Sequence, residues 1–206
     1  MVVKYLPLAV SLFGAAILYG WIADIGALKH PYPWQQTVKV PTAICLVMAG
    51  ILLYLIRGNG IGPRSQILGS AMCFGLLGIT LALTIGELLG KSTGVEHIFV
   101  SENELAAYSV KPGVPSGLAL FSFTLIVAAG ICWIFERRRV IRHLFCVVGG
   151  VSAVALFGYL VGNPALYGYV PGRWSGMAVY TAISFACLAV AGMERSVLRG
   201  PCITEV

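Results

Sequence analysis

Six apolar runs divide the chain, at roughly Leu6–Ala23, Val40–Ile56, Ile67–Leu89, Ser116–Phe135, Leu144–Gly162 and Ser175–Met193. A helix that spans a bilayer needs about 20 mostly apolar residues, and each run approaches that length. Most are bounded by polar or helix-breaking residues such as Arg57-Gly58-Asn59-Gly60, Glu136-Arg137-Arg138-Arg139 and Gly162-Asn163-Pro164. The pattern predicts an all-α integral membrane protein of six transmembrane helices, a single membrane domain over residues 1–206. The first run is read as a helix and not as a signal peptide. Only Lys4 precedes it, and no small-residue cleavage site follows.

Composition agrees with lipid as the solvent. Hydrophobic residues make up 58% of the chain and charged residues 11%, against about 25% charged in a typical soluble domain. The formal charge of +6 is not gathered into one stripe, so nucleic acid is not an expected partner. The basic residues fall between the apolar runs and set orientation instead. Lys4, Arg57, Arg64, Arg137, Arg138, Arg139, Arg142, Arg195 and Arg199 lie on one side, nine against the five of Lys29, Lys39, Lys91, Lys111 and Arg173. The first side is expected to be cytoplasmic, with both termini there. Trp21, Trp34, Trp133, Trp174, Tyr167 and Tyr169 fall near the ends of the runs, as an interfacial aromatic belt requires. The cysteines lie in apolar runs or in the tail, so free thiols are expected.

The outer connections, 24–39, 90–115 and 163–174, are long, and the inner ones are short and basic. The result is three helical hairpins. The middle outer loop carries Glu96, His97, Glu102 and Glu104 and is long enough to fold over the bundle as a cap.

The hairpins also look like copies of one another. The outgoing helices end on Gly20-Trp21-Ile22-Ala23-Asp24, Gly86-Glu87-Leu88-Leu89-Gly90 and Gly158-Tyr159-Leu160-Val161-Gly162. The returning ones begin with Val40-Pro41-Thr42-Ala43-Ile44, Val114-Pro115-Ser116-Gly117-Leu118 and Val179-Tyr180-Thr181-Ala182-Ile183, at spacings of 65 to 74 residues. Proline in a first turn gives up an N–H that is unsatisfied anyway. The hydroxyls of Thr42, Ser116 and Thr181 can bond nearby backbone groups, and the small residue after each lets helices approach. This architectural reading stands beside a functional one, in which three helix N-termini converge near the outer face and favour an anion or polar ligand.

Three hairpins with Pro41-Thr42-Ala43, Pro115-Ser116-Gly117 and Thr181-Ala182 starts resemble the N-terminal membrane modules of bacterial sensor histidine kinases and diguanylate cyclases. The Gly158–Gly162 stretch and the following Asn163-Pro164-Ala165-Leu166-Tyr167-Gly168 belong to the same likeness. The resemblance covers nearly the whole chain and implies a sensory module in the bacterial cytoplasmic membrane. No output domain follows Met193, so a protein partner or effector is implied.

Among single residues, Glu87 is the leading ligand-binding candidate, because a carboxylate near a membrane interior is costly and usually functional; the plainer reading pairs it with Lys91 at the interface. Trp21 and Tyr159 share its place in the repeat, so an outer pocket combining indole, carboxylate and phenol is expected. Arg173 and Trp174 can clamp an anionic group at the outer mouth or anchor in headgroups. Arg137, Arg138, Arg139 and Arg142 form the membrane anchor. Asp24 reads as a solvated helix end. His30, His97 and His143 sit in different places and show no metal-ligand spacing, so no metal site is expected. There is no sign of catalytic motifs, so the chain is expected not to be an enzyme and no cofactor is assigned. Two functions follow: a non-enzymatic sensor that relays a signal to a cytoplasmic effector, or a structural accessory subunit of a respiratory or photosynthetic membrane complex.

Overall fold

A computed structural model describes residues 2–30, 36–57, 63–89, 94, 113–169 and 175–194. The described residues form helices joined by turns. The helices are α1 (Leu6–Ile22), α2 (Gly26–Lys29), α3 (Val40–Arg57), α4 (Pro63–Leu89), α5 (Gly117–Ile134), α6 (Arg138–Val161) and α7 (Val179–Met193), with 3₁₀ turns at Val2–Tyr5 and Pro164–Tyr167. Five stretches, within α1 and its leading turn, α3, α4, α5 and α6, are long and apolar enough to cross a membrane. Helix α7 is equally apolar but has only 15 residues. This is a multi-pass helical membrane protein.

The hydropathy boundaries hold to within a residue for α1, α3 and α5. The other three helices differ for local reasons. Helix α4 starts at Pro63, which suits a first helical position because it lacks the N–H that would be left over. Helix α6 begins at Arg138 and carries Arg139 and Arg142 on its exposed face, where long side chains lay apolar stems along the helix and leave the charge in water. Helix α7 starts four residues later than its apolar run. The Met177 N–H donates to the Tyr167 carbonyl at 2.8 Å and the Met177 carbonyl accepts from Tyr159 Oη at 2.8 Å, which holds Ser175–Ala178 out of the helix.

The long helices pair as antiparallel hairpins. Ser11 Oγ on α1 donates to the Val47 carbonyl on α3 at 3.0 Å. Cys73 on α4 faces Val127 on α5, and Gly149 on α6 faces Ala189 on α7. Packing also joins α3 to α4, α5 to α6 and α7 to α1, so the six helices close into a cycle. Inside it, α3 touches both α5 and α7. Phe123 of α5 and Phe185 of α7 complete the triangle edge to face, with centroids 4.8 Å apart. The returning helices α3, α5 and α7 are therefore the core, and α1, α4 and α6 are the outer ring.

Burial follows that division. In α3, 67% of the most apolar stretch is buried, against 28% in α4 and in α6. Leu12, Phe74, Leu81, Ile85, Phe157 and Leu160 are exposed, which is tolerable because lipid tails surround the outer ring. Buried Thr80, Ser152 and Ser184 each donate to the carbonyl four residues back, which satisfies the hydroxyl inside the helix. Close approach relies on small residues: Gly192 lies against the Phe145 ring, and Gly50 lies against Ser11. The five described cysteines are free thiols.

Candidate functional site

The three core helices begin at the same end of the bundle. Pro41 and Thr42 occupy the first turn of α3. Ser116 caps α5, its Oγ accepting from the Ala119 N–H at 3.2 Å. Helix α7 follows Ala178, which provides no side-chain cap. Thr42, Ser116 and Thr181 are all buried, and all three line one small cleft of about 10 Å³. Its wall is completed by Thr37, Lys39, Ser175 and the backbone around Gly176. A cavity of that size has room for one water-sized particle.

The electrostatics of the cleft lean one way. Each helix start presents roughly half a positive charge from its unsatisfied N–H groups. Lys39, only 4% exposed, adds a buried ammonium to the wall. No lining residue is acidic. Ser175 is 8% exposed, and its Oγ has no hydrogen-bond partner. Buried hydroxyls are normally bonded, so an unmet one at a cleft marks space for a polar guest.

Side chains at the ends of the outgoing helices hold this cleft in shape. Trp21 Nε1 donates to the Val38 carbonyl at 2.9 Å, four residues before Thr42. Tyr159 Oη donates to the Met177 carbonyl, four residues before Thr181. The indole carries Lys29 Nζ at 4.7 Å above its ring, and the Tyr159 ring stacks on Tyr167 at 4.2 Å. The backbones match as well. The Val38 N–H bonds the Lys29 carbonyl at 2.9 Å, as the Met177 N–H bonds that of Tyr167. Gly20 accepts Leu28, and Gly158 accepts Leu166, at distances that leave no room for a Cβ. Helix α1 ends through Asp24 at φ 54°, and α6 ends through Gly162 at φ 71°. Lys29, paired with Asp24, holds that carboxyl below its ordinary value by hydrogen bonding and by charge.

Trp21 and Tyr159 thus serve separate hairpins, and neither lines the cleft. Glu87 is half-buried two residues before the end of α4, is itself engaged in an interaction, and does not line the cleft either. Arg173 and Trp174 lie outside the described residues, as do Glu96, His97, Glu102 and Glu104 of the middle loop. Arg137, Arg139 and Arg142 are exposed around the start of α6, and nothing is described of the Arg138 side chain. No group of three or more His, Cys, Asp or Glu residues among the described ones gathers as a metal site.

Lys39 and Ser175 were not singled out by sequence reasoning. Lys39 was legible as a base just ahead of a helix start, but its burial was not. Ser175 fell inside an apolar run and read as helix. A third residue, Arg57, emerges at the opposite end of the core. It is buried, and its guanidinium donates to the Ala191 carbonyl and pairs with Glu194, clamping the end of α3 to the end of α7. Guanidinium bonds to a helix's last carbonyls also suit the negative end of its dipole.

Compared with protein-family models, with curated proteins and with solved structures, the chain matches none.

Proposed function

We propose that this chain is a non-enzymatic sensory module of the bacterial cytoplasmic membrane that binds a polar ligand and relays its presence to a cytoplasmic effector. The carrying observation is that α3 and α7 are joined at both ends. They share the cleft of Thr42 and Thr181 at their starts, and the Arg57 clamp at their finishes. A guest that changes the spacing of the helix starts therefore acts on two packed rods whose far ends are also tied. Packed cores shift between discrete arrangements and do not deform continuously. The relay is a displacement of α7 against α3, read out where the chain leaves the clamp at Glu194.

The hairpins are copies of one unit. This is supported by the matched bracing of hairpins one and three, where equivalent residues keep the same spacing from Trp21 to Lys29 and from Tyr159 to Tyr167. In the proposed orientation both termini are cytoplasmic and the cleft faces outward. The exposed arginines at the α5–α6 turn, beside the clamp end of the bundle, support that direction.

Purification from native membranes tests the reading. The expected companion is a polypeptide with a kinase or cyclase output domain, or such a domain continuous with this chain. Stoichiometric co-migration with a respiratory or photosynthetic complex would overturn it in favour of the accessory-subunit role.

A further inference from the structure

We infer that the cleft at the shared start of α3, α5 and α7 binds a single small anion of halide size, with Ser175 and Lys39 as its side-chain ligands. The inference rests on the cleft that the sensor reading uses, and it adds the chemical class of the guest.

Three independent features point to an anion. Three helices of 15 to 18 residues direct their positive ends toward one place. The Lys39 ammonium is buried in the same wall, and no lining side chain is acidic. Ser175 provides a donor that is more than nine-tenths buried and meets no protein acceptor. A neutral guest leaves the converging positive charge without compensation, whereas an anion removes that cost and accepts from the hydroxyl. Helix α7 has no side-chain cap, so its first-turn N–H groups are further donors for the same ion.

The size of the site narrows the class. About 10 Å³ accepts one water-sized particle. A halide fits with slight widening, and a whole phosphate or sulfate does not. Thr42 and Thr181 sit where their first-turn hydroxyls have no free carbonyl four residues back, because Val38 and Met177 already accept from Trp21 and Tyr159. Both hydroxyls can therefore turn toward the ion. The two bracing bonds are what set the radius of the cleft.

The test uses the full chain in nanodiscs of zwitterionic lipid, with gluconate as the background anion. Chloride and bromide are titrated while thermal unfolding and amide exchange in residues 175–182 are followed. Saturable protection is expected for both halides. It should weaken about tenfold in Ser175→Ala, as loss of one hydrogen bond to a charge requires, and to a similar degree in the isosteric Thr181→Val. Sulfate at equal ionic strength should give none. Equal responses to sulfate and chloride, or an unchanged midpoint in both variants, would overturn the site. Anionic lipid in place of halide distinguishes a headgroup occupant: protection by the lipid alone, without halide, also contradicts the proposal. Loss of the halide result leaves the co-purification experiment untouched, so the two claims fail separately.

Discussion

The clearest energetic statements concern single side chains. Trp21→Phe and Tyr159→Phe each remove one donor to a carbonyl and keep the ring, so each should cost about 1 kcal/mol. Thermal unfolding in a fixed detergent or nanodisc measures it. Arg57 is more consequential because it meets a helix-terminal carbonyl and a carboxylate while buried. Arg57→Gln should cost about 2 kcal/mol, with the partial exposure of Glu194 limiting the loss. Asp24 sets a small pH dependence. Its folded pKa lies below the ordinary value because of Lys29, so its contribution is present above the unfolded pKa and is lost as pH falls through the folded one. Titration of the Asp24 carboxyl by NMR should give a midpoint that rises toward the ordinary value in Lys29→Met. Hydropathy could place Trp21 and Tyr159 at helix ends, but not reveal that each donates to its own hairpin's carbonyl. That depends on how the outer connection folds back, which no local pattern encodes.

At the scale of elements, the hairpins are braced independently. The Trp21 bond and the Tyr159 bond share no partner and lie in different pairs of helices. The double variant Trp21→Phe/Tyr159→Phe should therefore lose the sum of the single losses to within about 0.5 kcal/mol. A coupling above that, measured in a double-mutant cycle, would favour a single shared pocket. Helix α7 shows why element boundaries were only partly legible. Its run looked like 19 residues of helix, yet the helix has 15. At about 1.5 Å per residue that is shorter than a bilayer core of roughly 30 Å. The difference is covered by Ser175–Ala178, four buried residues held extended by Tyr159 and Tyr167. Apolar composition indicates that a segment is buried; the backbone state follows from long-range hydrogen bonds.

The whole molecule is a closed cycle of six helices with three of them inside. Which helices would be lipid-facing was not legible, since apolar residues on a lipid face and in a core look alike. The positions of the small and hydroxyl residues were more informative. Thr42, Ser116 and Thr181 are spread over 140 residues of chain and meet in one cleft, so the helix-start pattern did locate the site. The buried Lys39, the unmet Ser175 and the Arg57 clamp were not visible, because each owes its character to packing by another helix. Together they make the core a coupled unit, with a binding end and a clamp end. Coupling of this kind is reciprocal: what the cleft does to the clamp, the clamp must do to the cleft. Hydrogen–deuterium exchange on the full chain in nanodiscs, comparing wild type with Arg57→Gln, reads this directly. Faster exchange is expected in the last turns of α3 and α7 and also in their first turns, around Thr42 and Val179–Ala182. Exchange altered only beside residue 57 and Glu194, with the cleft end unchanged, would contradict the relay.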